Sequence, residues 1–172
     1  MTRQRILLIS LVGFLIFGLL LGGKLIYQKK WVDVLILNQS QQIPGVISAK
    51  VVTNRGEKEM VVVTDQLVNL RQTSQTLVKL AEDVPIRFKD HKNETLEKLY
   101  GQIQFAIQEG IARGNFTEMA QNVRIQAEQA GVQLELEMDN DAIYVLMNQG
   151  DAQLIEVIER DGQEKFLPTE KE

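Results

Sequence analysis

The side chains whose spacing most invites a chemical reading are Glu137, Asp139 and Asp141, three carboxylates set two residues apart. Oxygen ligands at alternate positions open a calcium loop, but such a loop also needs a sharp-turn glycine and a distal glutamate, and neither follows here. Asp139, Asn140 and Asp141 are equally the residues a tight turn prefers, because their short side chains hydrogen-bond the nearby backbone. A turn is therefore expected there, and no metal site. The single histidine, His91, stands among Lys89, Asp90 and Lys92 with no second imidazole or thiol beside it, and is expected at the surface rather than as ligand or base. No serine occupies a G-x-S-x-G elbow, and the absence of cysteine removes thiolate nucleophiles, disulfides and zinc–thiolate sites. The 23 Asp and Glu residues are numerous enough to supply a hydrolytic pair, yet nothing in their spacing selects one. The chain is accordingly expected to have no catalytic residues and no cofactor. A membrane-tethered hydrolase using carboxylates is the alternative.

Two pairs of residues point to association instead. Gly18 and Gly22 form a G-x-x-x-G within an apolar run, the spacing that lets two helix backbones approach closely in lipid. The second pair lies in a helix expected to begin after Asn93. There Leu96, Leu99, Tyr100, Ile103 and Ile107 fall on one face, while Phe105 lies about 160–200° from Ile103 and Ile107 at 100° per residue. Phe105 thus shares a polar strip with Lys98, Gly101, Gln102 and Glu109. A glycine inside a helix costs about 1 kcal/mol relative to alanine, and close approach of another backbone is one reason to keep it. Gly101 and Phe105 are therefore the candidate centre of a contact surface; the competing expectation is a sandwiched helix with Phe105 in ordinary core.

The elements that must carry these residues start with residues 6–26, uncharged until Lys24 and long enough, at about 1.5 Å per residue, to cross a bilayer core of about 30 Å. This apolar run exceeds the core of a signal peptide and no A-x-A-like cleavage site follows it, so an uncleaved signal-anchor is expected. Tyr27 and Trp31 flank Lys29 and Lys30 where headgroups would lie. Without cysteine the anchor is not a lipoprotein anchor. Arg3 and Arg5 oppose Lys24, Lys29 and Lys30 as topology signals, and the short leading tail favours a domain outside the cytoplasm. Beyond residue 30 the chain holds 14 of its 19 basic residues and all 23 acidic ones, a formal charge of −9. No Lys/Arg cluster is present for phosphate contacts, so nucleic acid is not an expected partner.

The remaining length suits one domain. Residues 31–45 read as a juxtamembrane stalk ending at Pro44-Gly45. Two β-branched runs, 46–53 and 60–64, flank Asn54-Arg55-Gly56-Glu57 and predict a hairpin. Leu67, Leu70, Ser74, Leu77, Ala81 and Val84 alternate steps of three and four, a helical stripe ending before Pro85. Residues 86–88 read as a connector or short edge strand. Asn93 is the expected N-cap of the next helix and Gly110 its C′ residue; Asn115-Phe116-Thr117-Glu118 has capping-box spacing and Gly131 closes the helix behind it. Strict alternation at 132–138, with turns at 139–141 and 148–151, predicts a three-stranded meander whose first strand has one wet face. Sequons at Asn38, Asn93 and Asn115 need no glycan, since the last two are explained as helix caps.

The expected architecture is α+β: tail and transmembrane anchor at 1–30, stalk at 31–45, a domain at 46–162 of antiparallel sheet (hairpin plus meander) with about three helices, and a mobile charged tail at 163–172. That layout resembles single-pass proteins of the bacterial envelope, an analogy of architecture that carries no function across. The expected function is non-enzymatic: the domain binds a protein partner or forms a homo-oligomer at the cell membrane, with lipid as the partner of the N-terminal helix.

Overall fold

A computed structural model of the chain describes residues 39–40, 42–54, 56–160 and 164–171. The expected anchor, with Gly18 and Gly22, lies outside the described residues, as does most of the expected stalk. Among the described residues no helix is long and apolar enough to cross a membrane.

Among the described residues the fold is α+β, with three complete helices and two sheets. The chain order is β1 (Val46–Asn54), β2 (Glu57–Thr64), α1 (Leu70–Ala81), β3 (Ile86–Asp90), α2 (Glu94–Arg113), α3 (Phe116–Gln129), β4 (Gln133–Met138), β5 (Ala142–Gln149), β6 (Ala152–Glu159) and β7 (Phe166–Lys171). The expected hairpin is β1–β2, antiparallel with Ala49 opposite Val62 and Asn54 opposite Glu57; Gly56 supplies the turn with φ +93°. The expected meander is β4–β5–β6, antiparallel throughout.

The hairpin and meander do not share one antiparallel sheet. The hairpin is half of a separate sheet ordered β1-β2-β3-β7, in which β3 runs parallel to both β2 and β7. Two expectations are corrected together. Residues 86–88 belong to an interior strand, not an edge, and the segment expected within a mobile tail supplies the strand beyond it. The cause is a long-range contact: Ile86, Phe88 and Asp90 are all buried on one parity, and the Phe166 ring stacks on Phe88 with centroids 6.2 Å apart and planes 5° from parallel. Pro168 is tolerated because β7 is an edge strand and needs no further backbone donor there.

Helices α2 and α3 cover one face of the meander. Leu96, Leu99, Ile103 and Ile107 from α2 meet Met119, Val123 and Ala127 from α3 over Ile143, Val145, Met147 and Leu154, all buried in one cluster. Asn93 caps α2 as expected, its Oδ1 accepting from the Leu96 N–H at 2.9 Å. Gly110 does not end the helix. α2 continues to Arg113 and closes on Gly114 at φ +69°, while Gly110 is buried where a Cβ would sit 2.6 Å from Met119 Cβ. It is the crossing point of two helices, a role that periodicity does not distinguish from a cap. Asn115 also departs from expectation: its side chain donates to Glu118 Oε2 at 2.9 Å and makes no cap bond to the backbone. The other end of α3 is closed by a Schellman pair, Val132 N–H donating to the Ala127 carbonyl and Gly131 N–H to that of Glu128, with Gly131 at φ +65°.

The meander's other face, with Tyr144, Leu146, Gln153 and Ile155 buried, turns toward α1 and the mixed sheet. β4 therefore lacks the fully wet face expected of it: Glu135 and Glu137 are half-buried, and Arg71 of α1 reaches Glu137 at 3.4 Å.

Candidate interaction surface

Because α2 spends its apolar stripe on the meander and α3, its opposite side is left to solvent. Glu94, Lys98, Phe105 and Glu109 lie within about 40° of one line at 100° per residue and are all exposed. Phe105 is 73% exposed, the most exposed of the large apolar side chains among the described residues. Sandwiching of α2 is thus not what the structure contains. Two intrahelical ion pairs bracket the ring, Lys98–Glu94 at 2.7 Å and Arg113–Glu109 at 2.6 Å. Gly101 lies one turn N-terminal to Phe105, and a Cβ placed on it would meet nothing within 4 Å. Side chains on a helix lean toward its N-terminus, so the Phe105 ring leans over a turn that offers no side chain beneath it. Among the described residues no other segment comes close to Gly101. The other exposed apolar residues, Ile47, Val68, Ile125 and Met138, sit on four other segments. Of the four association candidates, the structure brings Gly101 and Phe105 together; Gly18 and Gly22 are outside the described residues.

The carboxylate trio resolves into turn chemistry. Asp139 Oδ1 accepts from the backbone N–H groups of Asp141 and Ala142, each at 2.9 Å, and Oδ2 accepts from the Tyr144 hydroxyl at 2.8 Å and Gln75 Nε2 at 3.0 Å. Burial alone would raise its pKa, but these donors favour the charged form and hold it below the usual carboxylate range. Among the described residues no three metal-ligating side chains converge. His91 is half-buried between Asp90 and Lys92.

Sequence reasoning missed a second acidic pair, Asp90 and Glu156. Asp90 is fully buried; its Oδ2 accepts from the Ile155 N–H at 2.9 Å, while Oδ1 is buried without a hydrogen bond, 3.9 Å from Lys92 Nζ. Burial raises the Asp90 pKa against the lowering effect of the Ile155 N–H and of Lys92. Glu156, also pushed up chiefly by burial and then by Asp90, titrates at about 7 despite Lys92. Tyr100 of α2 is raised by burial and by Glu156. Two neighbouring carboxylates whose environments both favour the protonated form are the raw material of acid–base catalysis. Here Asp90 forms a joint. Ile155 lies on the outer edge of β6, and its N–H and C=O are satisfied by Asp90 and by the Thr169 hydroxyl, which donates at 2.6 Å. Gln153 acts likewise, accepting from the Leu67 N–H at 2.9 Å and donating to the Leu67 carbonyl at 3.0 Å. The one signal available in sequence was parity, since Asp90 follows Ile86 and Phe88 on the inward side of β3.

Open depressions of about 310 Å³ beside Ser74, Asp139 and Lys165, and about 400 Å³ beside Gln66, Gln133 and Gln153, are lined by neither Asp90 nor Glu156. The acidic pair therefore has no substrate-sized concavity at these places, whereas the Phe105 strip is a shallow apolar centre with a charged rim. No family model, curated protein or solved structure matches the chain.

Proposed function

We propose that the chain is a non-enzymatic, membrane-anchored protein of the cell envelope, single-pass, with its domain outside the cytoplasm, and that the outer side of α2 is where the domain binds a protein partner or a second copy. Residues 6–26 are the anchor, in contact with lipid. The observation that carries the contact surface is the 73% exposure of Phe105 beside the empty space at Gly101. An exposed aromatic within a polar strip has the composition of an interface centre, where one large ring removed from water does most of the binding. A carboxylate hydrolase is the weaker alternative, because Asp90 is closed to solvent and engaged by the β6 edge. The test is a photoreactive residue in place of Phe105 in the full-length chain, illuminated in native membranes. A discrete protein adduct is expected, and its absence would remove the surface. Orientation is tested separately by fusing alkaline phosphatase or a green fluorescent reporter after Glu172. Phosphatase activity is expected; fluorescence without it would place the domain in the cytoplasm. Gly18 and Gly22 form a second proposed contact, and Gly18→Ile with Gly22→Ile is expected to lower the signal of a transmembrane association reporter.

A further inference from the structure

We infer that the occupant of this surface is a second copy of the chain, paired antiparallel through α2 about a two-fold axis passing between Ile103 and Gln104; the inference rests on the contact surface proposed above. The charges along the strip run Glu94, Lys98 and Glu109, with Arg113 on its flank about 80° from Phe105 at 100° per residue. Positions 94 and 113 are equally far from the midpoint between 103 and 104, and so are 98 and 109. Turned end for end, the strip sets Glu94 against Arg113 of the second copy and Lys98 against its Glu109, and the two-fold repeats both pairs. On the strip itself Lys98 meets Glu109 and Glu109 meets Lys98; Glu94 and Arg113 lie to either side of that line, and Glu97, also exposed, has Gly110 opposite it. A parallel pairing in register would instead set each charge against itself, so the pattern selects one orientation.

The centre of the strip matches as well as its ends. Phe105 lies just beyond the midpoint and so faces Gln102 on the second copy, beside Gly101, whose missing side chain leaves room next to it. Symmetry makes this happen twice, which is the self-complementarity an isologous contact requires. Within one copy each charge already has a partner one turn away, so association joins two intrahelical pairs into a four-residue network. Exposed ion pairs of this kind contribute little affinity but fix register. Affinity comes from the two rings leaving water, and it is raised when both copies are confined to one membrane. The account thus expects weak pairing by the domain in dilute solution and strong pairing in the bilayer.

The chain has no cysteine, so an introduced thiol is the only one present. Full-length Lys98→Cys and Glu109→Cys variants are oxidised in membranes, separately and after co-expression. The axis puts 98 of one copy beside 109 of the other, whereas 98 and 98 are separated by eleven positions (109 − 98), about 16 Å along the helices. A disulfide dimer is expected from the co-expressed pair and from neither variant alone; a dimer from Lys98→Cys alone would overturn the orientation. As a second readout, Lys98→Glu is expected to reduce pairing of the full-length chain in bicelles at least five-fold, and adding Glu109→Lys to restore it, which a folding defect would not do. No rescue would overturn the charge pattern. If no dimer forms but a photoreactive residue at 105 captures a different protein, self-pairing falls and the contact surface stands; if position 105 captures nothing, both fall.

Discussion

The two sides of α2 carry the same unusual combination, large apolar side chains and a glycine, with opposite consequences. On the inner side Ile103 and Ile107 are fully buried, and Gly110 is pressed against Met119 so closely that a methyl group would collide. On the outer side Phe105 is mostly exposed and Gly101 touches nothing. The inner pair is accounted for by the chain's own packing. The outer pair has no such account among the described residues, and the proposed contact surface rests on that difference.

This difference is open to attack from both sides. Ile103→Ala should have the largest effect, a loss of about 2–5 kcal/mol in urea unfolding, because the site lies between helix and sheet and collapses poorly. The next effect belongs to Glu156 on β6, close enough for its charge to raise the pKa of the Tyr100 hydroxyl. Burial pushes the pKa of Glu156 up to about 7, above the ordinary glutamate value of 4.5, so the folded state holds the proton more tightly. The stability it contributes is complete below about pH 4.5 and is lost as pH rises through about 7; buried Asp90, also raised, acts in the same direction. Unfolding free energy should therefore fall between pH 5 and 7.5 by up to about 3 kcal/mol, and Glu156→Gln should remove most of that slope. A flat profile in the unsubstituted protein would show that the joint relaxes enough to solvate the carboxylate.

The two glycines give a matched pair of smaller effects. Gly110→Ala should cost about 1–2 kcal/mol, the overpacking against Met119 exceeding the gain in helix propensity. Gly101→Ala should stabilise the folded chain by up to about 1 kcal/mol, having open space for its methyl, while weakening association. Equal effects at the two sites would erase the distinction between the sides.

How much of this was legible in the sequence follows from the range of the interactions. The inner stripe of α2 repeats every three or four residues and its cap is local, so Asn93, Leu96, Leu99, Ile103 and Ile107 were readable. The meander was readable for the same reason, each turn being adjacent to the strands it joins. β7 was not: Phe166 becomes strand only by stacking on Phe88, and nothing near residue 166 announces that partner. The same distance hid the interior position of β3 and the roles of Asp90, Gln153 and Thr169, which look like ordinary polar residues until the sheets meet. Gly110 misled because a glycine near a helix end fits a cap and a crossing equally. Phe105 was legible in position but not in exposure, since periodicity says which side of a helix a residue occupies and not whether anything covers that side.

Phe105→Ala separates the two possibilities in one paired experiment on the full-length chain, unfolding by denaturant alongside cross-linking in membranes. The account predicts a change in unfolding free energy within about 0.5 kcal/mol and loss of the cross-linked dimer. A destabilisation of about 3–5 kcal/mol, the cost of truncating a core phenylalanine, or an unchanged dimer would contradict it.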